Sequence, residues 1–216
     1  MHAQHAGGSD VPLITRKVVL RDGLGARIGA AAVFHIAANG TALPHGETTD
    51  GSEVRESEAE MHDRLEAAWD ARLRDGVPFG VLWVAVDQAE DLRKTHGARA
   101  CEAMLENVER TLANALRAGG EIGRWGDIEF IILSQEGRGE VLANHGRVLA
   151  GIARTADFRW WGDRIPLTVS MGAAEAEGAD SLAEMLERAQ AAMQTSVRCG
   201  GNHVSLAPGR AGCSQS

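Results

Sequence analysis

The sequence of 216 residues predicts an α/β fold in which one sheet is covered by helices. Three observations carry that reading. FGVLWVAVD (79–87) is an unbroken apolar run of strand length, as expected for a strand buried on both faces. Residues 99–117 and 181–197 repeat apolar side chains at helical spacing. Between those helices GRWGDIEFIIL, beginning at Gly123, reads as two short strands meeting at a polar turn.

Taken in order, residues 1–11 are rich in Gly, Ser, Ala and Gln, as are 207–216, and both are expected to be disordered tails. ITRKVVL (14–20) reads as a strand and ARIGAAAVFHIAAN (26–39) as a short Ala-rich helix closed by Gly40, so that 12–40 forms a strand-helix extension. TALPHGETTDGSEV (41–54) is dense in Gly, Pro, Thr and Asp and reads as a linker, the best candidate domain boundary. Residues 55–74 place Met61, Leu65, Ala68, Trp69 and Leu73 on one helical face, ended by Arg74-Asp75-Gly76. In 99–117 the repeating residues are Ala100, Met104, Val108, Leu112 and Leu116. A further helix covers roughly 137–154, PLTVSMGAA (166–174) alternates like a strand, and His203 to Leu206 adds a short strand. Strands 79–87, 121–126, 129–134 and 167–173 are expected to share one sheet within a domain over 55–206.

Bulk properties narrow the function classes. A hydrophobic fraction of 44% and a charged fraction of 24% fit a self-supporting globular domain. A formal net charge of -8, with no basic stripe, argues against a nucleic-acid partner. Cys101, Cys199 and Cys213 are far apart and form no CxxC pair, which fits a reducing compartment and no structural zinc. The eight histidines show neither HxxxH nor HxH spacing, so no metal site is expected from them. No apolar run reaches membrane-span length, and MHAQHAGGSD lacks the basic and apolar regions of a signal peptide; a cytoplasmic protein without a membrane partner is expected.

Several stretches, in order, resemble the GGDEF family, the diguanylate cyclases that join two GTP molecules into cyclic di-GMP. LEAAWDARLRDGVPFGVLWVAVD resembles that family's first helix and strand, and THGARACEAML its next turn and helix. GRWGDIEFIIL stands where the signature hairpin belongs, LTVSMGAAEAE resembles the following strand, and AQAAMQTSVRCGGNHV resembles the closing helix with its Gly-Asn turn. The resemblance covers about 55–206 and implies a palm-like central sheet of mixed but mainly antiparallel strands flanked by helices.

It also implies a site, which can be read position by position. Cyclases of this family hold two Mg²⁺ ions on carboxylates of the first strand and the signature turn, so that a 3′-hydroxyl attacks an α-phosphate. The first-strand carboxylate falls at Ala85, with Asp87 two residues on along the same face. The signature turn is Gly126, Asp127, Ile128, Glu129 and Phe130: the second glycine is replaced by Asp127 and the metal-binding third position by Ile128, while Glu129 and Phe130 are retained. The guanine-reading asparagine falls at Arg93 and its aspartate partner at Glu102; the triphosphate-gripping lysine and arginine fall at Val197 and Gly201. Of the family's N-terminal motif only Asp50 remains. Losing both metal carboxylates and both cations removes the electrostatic stabilisation that phosphoryl transfer requires. Asp127 and Glu129 are then expected to be solvated turn charges.

Many such proteins bind their product at an RxxD motif before the signature. Here Arg117-Ala118-Gly119-Gly120 keeps the arginine without the aspartate, and Arg147 lies near a second product-binding arginine. Arg117 and Arg147 are therefore candidate cyclic di-GMP contacts, set against the plain reading of two surface arginines. KVVLRDGLGARIGAAAVFHIAANG also resembles the start of a short-chain dehydrogenase, with Gly23, Gly25 and Gly29 as fingerprint, but no second strand with a ribose-binding acid follows; a packing strand and helix are expected instead. Trp160 and Trp161 read either as a partner surface or as one packed ring and one exposed ring.

The resulting expectation is a non-catalytic module of bacterial cyclic di-GMP signalling, without cofactor. It would act through a protein partner or weak nucleotide binding, with a homodimer as a further candidate assembly. The alternative is an active cyclase with displaced ligands, in which Asp87 and Glu129 would hold Mg²⁺.

Overall fold

The computed structural model describes residues 2–4, 10–21, 27–36, 50–177 and 180–209, and the chain divides into two compact units, 1–47 and 48–216. In the first unit β1 (His2–Gln4), β2 (Asp10–Arg21) and β3 (Arg27–Ile36) form an antiparallel sheet in the order β1-β2-β3. This corrects two expectations. The tail 1–11 contributes β1 and the start of β2, and the segment expected to be an Ala-rich helix is a strand paired with β2 along most of its length. Alanine's helix preference is worth only about a few tenths of a kcal/mol per residue, and a long neighbouring strand outweighs it by supplying every second backbone partner. A hairpin offers no helix N-terminus to a pyrophosphate, so the dehydrogenase-like reading lapses; Gly29 lies in β3 opposite Leu20, while Gly23 and Gly25 lie outside the described residues.

The second unit runs α1 (Asp50–Asp75), β4 (Gly80–Val86), α2 (Ala89–His96), α3 (Ala98–Ala115), β5 (Glu121–Trp125), β6 (Glu129–Ser134), α4 (Gly139–Ala153), β7 (Phe158–Trp160), β8 (Asp163–Ile165), β9 (Val169–Glu175), α5 (Leu182–Arg198) and β10 (Val204–Leu206). The expected linker thus loses residues 50–54 to α1, and 41–49 lie outside the described residues. The main sheet has the order β10-β9-β4-β6-β5, antiparallel except for the β10-β9 pair. All four expected strands share it, with β4 at the centre.

Alternation along the strands feeds two cores. Leu82, Val84, Phe130, Ile132, Val169 and Met171 face α3 and α4, while Val81, Trp83, Ile131 and Leu133 face α1 and α5. Both faces of β4 are buried, which is why its sequence is apolar without a break. On α1, Met61 and Leu65 are fully buried and Ala68 and Trp69 pack beside them. Leu73 departs from the expected stripe and is 65% exposed, because the stripe's next position is Arg72, which covers Trp69 and donates to Ala176 O at 2.7 Å. α5 begins with a reciprocal capping box between Ser181 and Glu184.

Two elements escape the sequence reading. α2 is a separate eight-residue helix, ended at Gly97 with φ +86. FRWWGDRI forms the β7-β8 hairpin, whose corner residues Trp161 and Gly162 both take positive φ, the geometry favoured by two-residue hairpin turns. That corner leaves Trp161 89% exposed while Trp160 packs on the core. At the C-terminal end Ala207, expected in a tail, is buried and its N–H donates to Ala173 O at 2.7 Å, prolonging the β10-β9 pairing; residues 210–216 lie outside the described set.

α5 rests directly on β9. A Cβ at Gly172 would fall 2.0 Å from Ala189 O and 2.2 Å from Met193 N, both backbone atoms that cannot yield. Gly172→Ala should therefore destabilise the domain by about 3 kcal/mol or more, at the upper end for overpacking, as read by urea denaturation with an unchanged slope. Wild-type stability in this variant would refute the close helix-strand contact.

Candidate functional site

At the C-terminal end of β4 the sheet opens into a cleft of about 720 Å³, bordered by the β5-β6 turn, the start of α2 and the end of α5. Ala85, Asp87, Ile128, Glu129, Val197 and Gly201 all line it. The fold thus collects in one place the positions that the sequence resemblance had assigned to metal and triphosphate. Register explains the convergence: Ala85 stands opposite Glu129 on one neighbouring strand and Ser170 on the other.

Asp87 is the most heavily bonded side chain here. Its Oδ1 accepts from Ser170 Oγ at 2.6 Å, and its Oδ2 accepts from Thr168 Oγ1 at 2.6 Å and from the Asn202 N–H at 2.9 Å. Gln88 completes the network by donating to Thr168 Oγ1 and accepting from the Thr168 N–H, each at 2.9 Å. Gly201 has φ +76, and a Cβ there would crowd the Asp87 carboxylate at 3.0–3.1 Å, so this corner of the cleft is built for glycine.

Glu129 was expected to be a solvated turn charge, and the structure corrects this. It is half-buried and its Oε2 accepts from Trp83 Nε1 at 2.7 Å. Burial pushes its carboxyl above the usual carboxylate range, and the Trp83 N–H draws it partly back. The contact joins residues 46 apart in sequence, beyond the reach of local pattern reading. Asp127 does project into solvent, its side chain 81% exposed and 3.5 Å from Arg93. Ile128 packs against the core beside Phe130, which is fully buried, and Gly126 takes φ +67 to turn the corner.

Beneath the turn lies a residue to which the sequence reading gave no role. The Arg124 side chain is only 5% exposed, and its guanidinium makes a bidentate pair with Glu102 at 3.1 and 2.7 Å. It also donates to Asp127 O at 3.0 Å and lies 5.3 Å from the Phe130 ring centre. Glu102, the expected partner of a guanine, is thereby committed to holding the hairpin. The readable signal was an arginine in alternation with Ile122 on the inward side of β5.

A two-metal centre needs a converging set of oxygen ligands. Ala85 and Ile128 have no side-chain oxygen, both oxygens of Asp87 accept from protein donors, and Glu129 already receives Trp83. Among the described residues the only trio of potential ligands within reach of one ion is His62, Asp63 and Glu66, exposed on α1 and outside the cleft. The residues present therefore do not fit a pair of Mg²⁺ ions. Charge points the same way: the lining carries Asp87, Glu90, Asp91 and Glu129 against Arg198 alone, a field that repels a triphosphate.

The two arginine candidates have different surroundings. Arg117 donates to Glu136 Oε1 at 2.6 Å, while Glu121, the nearest acid in sequence, pairs instead with Arg64 at 2.8 Å. A Cβ at Gly120 would lie 3.2 Å from Arg117 O, so the tight turn there leaves little room for an acid. Arg147 bonds Asn144 one turn back on α4 and borders a separate hollow with Arg154 and His203. His145 lies buried between these regions; burial, and then Arg117, depress its pKa, which Glu136 opposes.

Comparison with known proteins bears on the whole of this unit. A family model described as diguanylate cyclase, GGDEF domain, matches residues 57–203. Diguanylate cyclase DosC of Escherichia coli K12 is 28% identical over 134 residues, 62% of this chain and 29% of that protein. Diguanylate cyclase DgcP of Pseudomonas aeruginosa is 28% identical over 153 residues, 69% of this chain and 22% of that protein. The matched segment is thus less than a third of either relative. Among solved structures, the GGDEF domain of DgcB from Caulobacter crescentus, in complex with c-di-GMP, superposes with TM-score 0.64 at 21% identity, covering 69% of this chain and 90% of that one. Diguanylate cyclase SiaD of P. aeruginosa, in complex with its activator SiaC, gives 0.66 at 23% identity, covering 69% and 58%. At these identities the two superpositions establish the fold: a mixed α/β domain with a mostly antiparallel central sheet. No described helix is long and apolar enough to cross a membrane.

Two measurements test the site geometry. Asp87→Ala should cost about 2–4 kcal/mol of unfolding free energy, because it strands the buried Ser170 hydroxyl and releases the 200–203 turn; a loss below about 0.5 kcal/mol would show that Asp87 is not structural. Glu129 makes a pH-dependent contribution. Its folded pKa lies above the unfolded value, so the native state holds more protons between the two, and stability falls as pH rises through that window. Glu129→Gln keeps an acceptor for Trp83 without the buried charge. It should raise the melting temperature near pH 7, with the gain vanishing below about pH 4, where the carboxyl is protonated in both states.

Proposed function

The chain belongs to the GGDEF family of diguanylate cyclase domains, and from that premise we propose that it is a non-catalytic member acting in cyclic di-GMP signalling by binding a partner. One observation carries the proposal. The two positions to which the resemblance assigns the family's metal carboxylates are Ala85 and Ile128, and of the acids beside them Asp87 is bonded at both oxygens to Ser170, Thr168 and the Asn202 N–H, while Glu129 accepts from Trp83 Nε1. Val197 and Gly201, in place of the cations that grip the triphosphate, and the acidic lining of the cleft support the same reading. Binding is the function left to a fold whose charge and ligands no longer suit phosphoryl transfer. The complex of SiaD with its activator SiaC supports a protein as the class of partner.

A second reading has the names of the relatives in its favour, since DosC and DgcP are both diguanylate cyclases. In it, Asp87 and Glu129 would hold Mg²⁺ after releasing their present donors. Incubating the purified protein with GTP and Mg²⁺ separates the two: no cyclic di-GMP above an enzyme-free blank is expected, and steady accumulation would overturn the proposal.

Cyclic di-GMP binding at Arg117 should be weak. The aspartate that would accept from guanine is absent at Gly120, and Glu136 already holds the guanidinium. Each missing charge-assisted bond costs about 1.5–3 kcal/mol, roughly one to two orders of magnitude in affinity. Calorimetric titration should therefore show weak or no binding, with any residual affinity abolished in Arg117→Ala. Tight binding that survives the substitution would place the nucleotide elsewhere.

A further inference from the structure

We propose that the hollow between the C-terminal half of α4 and the turn leading into β10 is a binding site for a small phosphate-type anion, separate from the cleft. The hollow holds about 260 Å³ and is lined by Arg147, Gly151, Arg154, Asn202 and His203, with Ala150 and Val204 as its apolar floor. Among the described residues no carboxylate lines it, although the chain as a whole carries a formal charge of -8. Such a local reversal of sign concentrates anions.

The two guanidiniums are available. Other arginines of this domain are neutralised: Arg64, Arg93, Arg117, Arg124 and Arg159 each pair with a carboxylate. Arg147 instead bonds the neutral amide oxygen of Asn144, and Arg154 has no side-chain partner among the described residues. They stand seven residues apart, Arg147 on α4 and Arg154 at its C-cap, two helical turns or about 10 Å along the axis and on the same side. That spacing lets two planar forks approach one anion, or two linked phosphates, from opposite ends. Between them Gly151 keeps the floor open, since a Cβ there would meet nothing nearer than Arg154 Nη2 at 3.9 Å.

The opposite wall is held in place. Asn202 has φ +51, its N–H is tied to Asp87, and the His203 carbonyl accepts from the Met171 N–H at 2.9 Å. The side chains of Asn202 and His203 remain exposed on that fixed turn, offering amide and imidazole N–H donors. Gly200 and Gly201 of the same turn border the cleft, so one turn separates the two spaces and the anion site stands whether or not the cleft is catalytic. A volume below the roughly 300 Å³ at which drug-sized pockets begin selects a phosphate, a diphosphate, or the phosphate end of a larger molecule.

Isothermal titration of the full chain with inorganic pyrophosphate at low salt tests this. A dissociation constant at or below about 1 mM is expected, weakened tenfold or more by Arg154→Ala and by Arg147→Ala, and kept within a few-fold by Arg154→Lys. Arg159→Ala removes an equal charge from an exposed site elsewhere and should leave binding unchanged. A parallel titration with cyclic di-GMP asks whether an internal phosphodiester is accepted: pyrophosphate binding alone assigns a terminal or free phosphate, and competition between the two assigns the shared phosphate chemistry. Absence of pyrophosphate binding up to about 10 mM, binding indifferent to both arginines, or equal weakening by Arg159→Ala would each overturn the site.

Discussion

One carboxylate, Asp87, sets the terms for this domain. Standing just after the central strand, it draws in the Thr168 and Ser170 hydroxyls at the start of β9 and the Asn202 N–H of the turn into β10. A charged acceptor makes each of these bonds stronger than a neutral one, about 1.5–3 kcal/mol apiece. Three segments that meet only in space are fixed together at the rim of the cleft, and the parallel β10-β9 pairing is aligned as a result. Each oxygen of the carboxylate thus already accepts from a protein donor. Hydrogen bonding by Asp87 and coordination of a metal ion would draw on the same oxygens.

The signature turn is likewise held by its own polar contacts. Arg124, buried beneath it, is neutralised by Glu102 and braces the hairpin through Asp127 O. Glu129 is held by Trp83, and Ile128 packs partly against the core while also lining the cleft. Each contact lowers the desolvation penalty of a polar group at the edge of the core, and each withdraws that group from a ligand. What remains exposed in the cleft is negative charge with little to balance it. Arg147 of α4 and Arg154 at its C-cap border a hollow of the opposite sign.

Much of the second unit was legible from sequence because its elements advertise themselves locally. The apolar run 79–87 had to be a doubly buried strand, and Met104, Val108 and Leu112 had to share a helix face. Ser181 and Glu184, spaced three apart, form the capping box at the start of α5. The first unit was misread for a physical reason: alanine-rich segments take the structure their neighbours impose, and β2 imposed a strand on 27–36. The β7-β8 corner was missed because a tryptophan at positive φ contradicts the residue preferences from which turns are recognised.

The sequence by itself determined the fold class, the order of the main-sheet strands and of the longer helices of the second unit, and the family, since periodicity and motif order are local properties of the chain. Through the resemblance it also assigned metal and triphosphate roles to positions held here by Ala85, Ile128, Val197 and Gly201. Only the tertiary structure decided what the retained polar residues do. The partners of Asp87 lie 81 to 115 residues away, those of Glu129 and Arg124 lie 46 and 22 away, and the arginines of α4 meet the turn at 202–203 across a gap that no pattern encodes. Hydrogen bonds act over about 3 Å, so the role of a polar side chain is fixed by whichever donor or acceptor the fold brings within that distance.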